Sequence, residues 1–379
     1  MLTSRMQKQC RTTALRAADW YVNSQVKYGG PQWDANTGRF IYNYHMPTRT
    51  CVRGLNWTQG RGIMVLMAAY RLTGESKYRD AAQWAVAYLK ALQIYDQTSP
   101  NFGALAEEIP QSEHAWPRDV AEGASGFFHL YNETGDKDMV RRARLCGEWL
   151  FSTLNKETGF PAFNYFLDGR RPVFGKAAWM VGSGMYFSLI YRATGERKFL
   201  AAMKPLLDAV RTDFIDARGN FVCGLAEKGK KRPAVSNDDG LGAALISGAL
   251  LFKSRRYAED AVTIGNWMMT QTQRDETVTS LASRLCYLMD LCRFTGDPIY
   301  RVYVESRIDE VIEAQVGAKA DPLAFGAFRG EDEAVKWYVK GASRNDFVTT
   351  RATCYAALAL FKLVNNDWTP GYSAFGWKC

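Results

Sequence analysis

The stretch Tyr70-Arg71-Leu72-Thr73-Gly74-Glu75-Ser76-Lys77-Tyr78 decides the fold, because copies of it return along the chain. In each complete copy, threonine, glycine and an acidic residue follow one another. The copies lie at residues 131–137, 191–199 and 293–300, with a degraded copy at 252–257. The early copies recur at about 60 residues, a period typical of stacked helix pairs.

The segments on either side of each copy differ in character. Glycine after an apolar helix ends that helix, because it adopts positive φ without strain, and a neighbouring acidic residue suits the start of the next helix. The segment before a copy, as in 240–252, is apolar on all sides and indicates a buried helix. The segment after it, as in 78–90, is amphipathic and indicates a helix with one exposed face. This alternation predicts two concentric rings.

The whole chain accommodates six such pairs. We expect outer helices near residues 8–25, 76–94, 136–154, 196–213, 255–273 and 297–315. We expect inner helices near residues 58–72, 118–133, 180–193, 240–252, 278–294 and 348–364. The sequence therefore predicts an all-α fold, an (α/α)6 barrel in which residues 1–379 form a single domain.

These features give the sequence a resemblance to a known superfamily. The alternating helices, the Thr-Gly-Asp/Glu hinges and the Asn-Trp-Thr-Gln-Gly-Arg stretch at 56–61 resemble the six-hairpin glycosidases. The layout is most similar to the unsaturated glucuronyl and rhamnogalacturonyl hydrolases, and more distantly similar to the N-acylglucosamine 2-epimerases. The resemblance implies an acid/base aspartate at the start of an inner helix. The third inner helix departs from that pattern, since residues 179–184 contain no carboxylate.

Composition narrows the class of protein. The 379 residues are 47% hydrophobic, enough for one large core. No apolar run reaches the roughly 18 residues of a membrane span, so no membrane partner is expected. The eight cysteines are scattered without a Cys-x-x-Cys pair, which favours a reducing, cytoplasmic compartment. A periplasmic or secreted location is the alternative if a signal peptide has been removed.

Charge and motifs exclude several partners. The net charge of +9 favours an anionic ligand, but the densest basic run, 228–232, has the character of a loop, and we expect no nucleic-acid partner. The three histidines have no metal-ligand spacing, and no nucleotide-binding motif occurs. No metal or cofactor is predicted. An acidic saccharide remains the favoured ligand.

The inner helices of such a barrel converge on one mouth with their N-terminal ends. Trp57, Trp116 and Trp179 occupy equivalent places in three consecutive repeats and are candidate platforms for sugar rings, although aromatic residues more often serve only to pack. The arginines of the mouth are candidates to bind a substrate carboxylate in bidentate fashion. The predicted substrate-binding residues are Trp57, Gln59, Arg61, Glu107, His114, Trp116, Arg118, Trp179, Arg344 and Arg351.

Three carboxylate sources can supply acid/base chemistry. Asp119 lies just after a proline at the start of an inner helix. There its negative charge either interacts favourably with the helix dipole or points into the cavity. Asp238 and Asp239 open another inner helix, and repulsion between adjacent carboxylates raises one pKa, as a general acid requires. Glu107 and Glu108, which lie together on a long loop, are the third source. We predict that Asp119 or the Asp238/Asp239 pair is catalytic.

The leading hypothesis is a glycoside hydrolase acting on an acidic, uronate-containing oligo- or polysaccharide. A polysaccharide lyase is the first alternative, with Tyr44, His45 and His114 as its candidate residues. A sugar epimerase is the second, and a non-catalytic glycan-binding protein is the third. The sequence leaves the sugar, the linkage and the oligomeric state open.

Overall fold

The computed structural model describes residues 3–27, 36–109, 112–224, 231–233, 240–271, 277–329 and 341–365. Within them the chain forms twelve α-helices. The outer helices are α1 (Ser4–Ser24), α3 (Ser76–Leu92), α5 (Lys137–Ser152), α7 (Arg197–Ala209), α9 (Arg255–Thr270) and α11 (Pro298–Glu313). The inner helices are α2 (Asn56–Thr73), α4 (Pro117–Thr134), α6 (Ser183–Thr194), α8 (Leu241–Phe252), α10 (Val278–Thr295) and α12 (Thr350–Asn365).

The inner helices form a closed ring. Each even-numbered helix packs against the next, and α12 packs against α2, which completes the circle. Each outer helix from α3 to α9 packs against the two inner helices that flank it in sequence, and α1 packs between α12 and α2. The predicted (α/α)6 barrel is therefore confirmed.

The hinge from inner to outer helix explains the repeated motif. In the first copy, the Thr73 hydroxyl donates to the Ala69 carbonyl and accepts the N–H of Glu75, while Gly74 adopts φ 74°. The same three features occur at residues 134–136, 194–196 and 295–297. Threonine thus satisfies one helix-end carbonyl and the first N–H beyond the turn, which stabilises a short, tight connection.

A recurring glutamine closes the outer ring. Gln25, just after α1, donates to the Ala81 carbonyl of α3, and Gln93, just after α3, donates to the Arg142 carbonyl of α5. Gln315, just after α11, donates to the Thr13 carbonyl of α1. The same kind of bond therefore links α1 to α3, α3 to α5, and the last outer helix, α11, back to α1.

The described strands all lie in the long segments that lead from outer to inner helices. They are β1 (Ile41–His45), β2 (Thr50–Arg53), β3 (His114–Ala115), β4 (Tyr165–Phe166), β5 (Val222–Gly224), β6 (Lys231–Pro233) and β7 (Phe347–Thr349). They pair antiparallel as β2-β1-β7, β3-β4 and β5-β6. Because these segments end at the N-termini of inner helices, the strands surround the mouth of the barrel.

Two helices depart from the prediction in detail. The third inner helix begins with a 3-10 turn, Ala178–Gly182, before α6. The outer helix predicted at 196–213 is α7, which contains Pro205, followed by a π-helical turn, Val210–Phe214. Proline removes a backbone donor inside a helix, which is a common cause of such local irregularity.

Candidate active site

The candidate site lies where α2, α4 and the 3-10 turn before α6 begin. The backbone N–H of Asn56, the first residue of α2, donates to the Glu107 carbonyl at 2.9 Å. The backbone N–H of Trp116, which precedes α4, donates to Glu107 Oε1 at 2.7 Å. Glu107 therefore joins the starts of two neighbouring inner helices.

Glu107 is a buried carboxyl group with an incomplete set of partners. Its side chain is 4% exposed. While Oε1 accepts the Trp116 N–H, Oε2 has no hydrogen-bond partner among the described residues. Buried polar atoms without partners are uncommon in folded proteins and often mark functional sites.

The environment of Glu107 favours its protonated form. Burial raises the pKa of Glu107 well above its usual range, and the negative charge of Asp119 raises it further. The hydrogen bond from the Trp116 N–H and the nearby Asn56 side chain oppose the shift without cancelling it. The charge of Asp119 is therefore close enough to Glu107 to affect how strongly Glu107 holds its proton.

Asp119 is the more accessible member of this pair. It is half-buried in the first turn of α4. An acidic residue at this position commonly accepts the N–H that precedes the helix, but that N–H, of Trp116, is already bonded to Glu107. This position allows the Asp119 carboxylate to face the mouth of the barrel as well as to interact with the helix dipole.

Aromatic rings form a continuous arc beside the carboxyl pair. Trp116 is 37% exposed and lies 6.0 Å from the His114 ring and 6.1 Å from the Phe163 ring, measured between centroids. Phe163 in turn contacts the half-buried Trp179 at 5.4 Å. Trp116 and Trp179, the candidate sugar platforms of the second and third repeats, thus belong to one aromatic surface. Phe163 was not predicted as a site residue, although it follows a Gly-Phe-Pro-Ala segment that recurs in degraded form in other repeats.

Trp57, in the first repeat, belongs to a different aromatic pair. It is half-buried and packs edge-on against Tyr42 of β1, with ring centroids 5.6 Å apart. Its backbone neighbour Asn56 contacts Glu107, which places Trp57 at the same end of the barrel as the arc.

Arg61 and Arg118 form ion pairs with another residue of the protein. Arg61 is 1% exposed and binds Glu122 of α4 through Nε at 3.1 Å and Nη2 at 2.5 Å. Arg118 is 4% exposed, and its guanidinium also bonds Glu122. The structure therefore places both guanidinium groups in an internal ion-pair network instead of at an open surface where they would bind a substrate carboxylate.

The remaining predicted residues are Gln59, Arg344, Arg351, Asp238 and Asp239. Gln59 is fully buried, and its side chain bonds the backbone N–H of Phe40. Arg344, in the 3-10 turn Arg344–Asp346, and Arg351, in the first turn of α12, are half-buried at the N-terminal end of that helix. Asp238 and Asp239 lie outside the described residues.

The residues considered for lyase chemistry have other tasks here. The Tyr44 hydroxyl bonds Asp321 Oδ2 at 3.0 Å, and burial together with this bond raises the pKa of Tyr44. A tyrosine base needs the opposite shift. His45 Nδ1 lies 2.6 Å from the Thr48 hydroxyl. His129, the third histidine of the chain, is buried in the middle of α4.

Among the described residues there is no cluster of three potential metal ligands. No described helix is long and apolar enough to cross a membrane.

No family model and no curated protein sequence matches the chain.

Solved structures match the fold over nearly the whole chain. The unsaturated glucuronyl hydrolase of Bacillus sp. GL1, described as responsible for glycosaminoglycan degradation, is 14% identical with a TM-score of 0.71, and the match covers 96% of this chain and 98% of that one. The cellobiose 2-epimerase of Bacillus thermoamylovorans is 12% identical with a TM-score of 0.74, covering 96% and 100%. An α-1,6-mannanase of Salegentibacter sp. HEL1_6, solved with α-1,6-mannotriose, is 12% identical with a TM-score of 0.67, covering 94% and 99%.

These comparisons confirm the resemblance at the level of architecture. All three are (α/α)6-barrel enzymes, and the present chain has the same fold. Sequence identity of 11–14% shows the fold alone.

Proposed function

We propose that this protein is a glycoside hydrolase whose acid/base residue is Asp119. The observation that carries the proposal is the buried Glu107, bonded to the Trp116 N–H and affected by the charge of Asp119, beside the aromatic arc of His114, Trp116, Phe163 and Trp179. Sugar rings present apolar faces that stack on aromatic side chains, and glycosidic bonds break with proton transfer from carboxyl groups. The fold that this chain shares with glycosidases and epimerases supports the same reading.

In this proposal the two carboxyl groups have different tasks. Asp119 is half-buried and is the member that a bound sugar can touch. Glu107 is buried behind it, is held by Trp116 and keeps a proton to higher pH than an ordinary glutamate. Asp119, in its protonated form, would give its proton to the leaving glycosidic oxygen while water adds to the anomeric carbon. The proton that this water loses would pass to a second carboxylate, and each carboxyl group would return to its starting state by proton exchange with solvent. Glu107 sets the charge that Asp119 experiences throughout.

A second carboxylate is expected across the sugar. Glycoside hydrolysis usually uses two carboxyl groups on either side of the bond. Asp238 and Asp239 remain the predicted source, since they precede α8, two repeats further around the ring from Asp119.

For the substrate, we propose an acidic, uronate-containing saccharide. The support is the net charge of +9, the position of Arg344 and Arg351 at the N-terminal end of α12, and the contact of α12 with α2, which also bounds the carboxyl pair. Arg61 and Arg118 no longer contribute to this argument, because Glu122 binds both.

Mass spectrometry of oligosaccharide mixtures tests the proposal. Saturated and unsaturated uronate oligosaccharides are incubated with the enzyme in H₂¹⁸O, with neutral manno- and gluco-oligosaccharides as the matched set. Hydrolysis of an acidic substrate with ¹⁸O incorporated into one product is expected. Turnover of neutral substrates alone would refute the acidic specificity, and no ¹⁸O incorporation from any substrate would refute the hydrolase.

The alternatives leave different isotopic and optical traces. An epimerase that works by proton abstraction incorporates deuterium from D₂O into an otherwise intact sugar. A lyase creates the absorbance of an unsaturated uronide, whereas a hydrolase of unsaturated uronides removes it. A binding protein retains oligosaccharides without changing them.

Two further expectations remain proposals. We propose that residues 1–379 act as one catalytic domain without a cofactor. We also propose a cytoplasmic location, for which the free thiols of Cys10, Cys146, Cys286 and Cys354 within the protein interior give support.

A further inference from the structure

An ion-pair network lies directly beneath the candidate site. The Glu122 carboxylate of α4 binds Arg61 of α2 and Arg118 of α4, and all three side chains are at most 6% exposed. Arg61 also lies 4.5 Å from the Tyr355 ring of α12. Arg61 therefore joins three inner helices, through the Glu122 carboxylate of α4 and the Tyr355 ring of α12.

Arg118 extends this network to the third repeat. Its Nε donates to the backbone carbonyl of Trp179 at 3.0 Å. Trp179 lies in the 3-10 turn Ala178–Gly182 that opens the third inner helix. Its backbone carbonyl is thus also an acceptor for an arginine from the neighbouring repeat.

We propose that Arg118 is a positioning residue that fixes the Trp179 platform relative to Asp119, and so sets the affinity for the sugar ring that stacks there. The inference rests on the proposed function. Arg118 and Asp119 are consecutive residues of α4, so one helix start bears both the acid/base group and the donor that holds the platform. The third repeat, which has no carboxylate of its own at this position, supplies the stacking surface instead.

The chemistry of arginine suits this task. The planar guanidinium donates in several fixed directions at once, and Arg118 uses one for Trp179 and another for Glu122. A lysine keeps the positive charge but offers a single ammonium on a flexible stem, so it does not reproduce both contacts in the same geometry. Arg118→Lys therefore loosens Trp179 without removing the charge beside Asp119.

The chain provides a matched control. Arg71 of α2 bonds Glu133 of α4 at 2.8 Å, which joins the same two helices near the opposite end of the barrel. Arg71→Lys changes the same residue type in the same kind of inter-helix pair, remote from Trp179.

The experiment is a double-mutant cycle on KM and kcat with the oligosaccharide identified in the mass-spectrometric screen. Arg118→Lys is expected to raise KM about tenfold and to change kcat much less, since it disturbs substrate positioning more than proton transfer. Trp179→Ala is expected to raise KM by at least as much. Because Arg118 acts through Trp179, the double variant should resemble Trp179→Ala alone. Arg71→Lys should leave both constants unchanged.

Several outcomes separate this inference from the proposed function. If wild-type protein turns over no oligosaccharide, the proposed function fails and the positioning role fails with it. If turnover occurs but Arg118→Lys leaves KM unchanged, or its effect multiplies with that of Trp179→Ala, then Arg118 does not act through Trp179 and only this inference falls. If Arg118→Lys does not fold, Arg118→Gln replaces it in the same cycle, since it leaves Arg61 and Glu122 as a charge-balanced pair.

Discussion

The two ends of the α2–α4 helix pair carry the same kind of ion pair in opposite settings. At the mouth, Arg61 and Glu122 are 1% and 6% exposed, while at the far end Arg71 and Glu133 are 28% and 17% exposed. A partly exposed pair contributes only about 0.2–1 kcal/mol, whereas burying charges has a desolvation cost that can cancel the attraction. The buried pair at the mouth is therefore better explained by positioning than by stability.

The segments that connect the helices also differ between the two ends of the barrel. At the far end, the threonine-glycine hinges repeat with nearly the same φ, between 69° and 74°, and the same hydrogen bonds. At the mouth, the connecting segments are long and each repeat has its own residues. Regular connections maintain the fold, and the divergent ones supply the chemistry.

The largest expected difference between the two ends is in catalysis. Asp119→Asn at the mouth should lower kcat about 10²- to 10⁴-fold, because asparagine keeps the shape but transfers no proton. The control is Asp136→Ala at the far end, which removes the cap that accepts the Asp138 N–H. It should cost about 1 kcal/mol of unfolding free energy and leave kcat unchanged.

Steady-state kinetics and thermal unfolding of both variants check this contrast. A fully active Asp119→Asn protein with a lowered melting temperature would show that Asp119 serves the helix alone.

The aromatic arc provides the next contrast. Trp116→Ala should raise KM about tenfold, since losing one stacked sugar ring weakens binding by about 1.4 kcal/mol. Trp84, on outer helix α3, is 51% exposed and lies outside the arc. Trp84→Ala should leave KM unaltered. Equal effects of the two substitutions on oligosaccharide affinity, measured by calorimetry, would contradict a defined platform at the mouth.

Glu107 should lower the stability of the free protein at neutral pH. Its pKa in the folded state is raised, so above its ordinary value of 4.5 the folded protein keeps a proton that the unfolded chain has lost. Stability therefore falls as pH rises above that value. Glu107→Gln removes this cost while its amide oxygen can still accept the Trp116 N–H, and it should raise the free energy of unfolding at pH 7.

Denaturant unfolding of Glu107→Gln and of Glu108→Gln checks this expectation. Glu108 is 47% exposed and pairs with Arg39, so its neutral variant should be unchanged or slightly less stable. A Glu107→Gln protein that is less stable than wild type at pH 7 would contradict the raised pKa.

The smallest predicted effect lies at His129, remote from the mouth carboxyls. Burial lowers the pKa of His129 to about 3, so the folded state excludes a proton that the unfolded chain accepts below pH 6.5. Stability is lost as pH falls through this range, by about 1 kcal/mol between pH 7 and 5.5. His129→Leu should flatten the pH dependence of the melting temperature by that amount. An unchanged slope would show that other groups govern it.

Sequence periodicity was sufficient for the fold because each hinge is a local structure. The Thr73-Gly74-Glu75 triplet contains all the atoms that its turn uses, and so its copies can be recognised without a structure. The glutamine bonds were not predicted, because Gln25 contacts a carbonyl 56 residues away. Contacts of that range leave no local pattern.

The sequence identified several residues of the candidate site, but it predicted their roles less well. Asp119, Trp116 and Trp179 were identified from their positions at helix starts, and the structure places them at one end of the barrel. Arg61 and Arg118 were predicted to bind substrate, but each had a protein partner that sequence spacing does not reveal. The raised pKa was expected at Asp238 or Asp239, outside the described residues, whereas burial produces one at Glu107.

The pH profile of kcat/KM for wild-type and Glu107→Gln protein tests the central claim most directly, with Glu108→Gln as the control. If Asp119 and Glu107 act as a coupled pair, the wild-type profile falls on the alkaline side as Glu107 loses its proton. That limb should be lost or shifted in Glu107→Gln and kept in Glu108→Gln. A Glu107→Gln profile that superimposes on the wild-type profile, with kcat/KM unchanged, would contradict the coupled carboxyl pair.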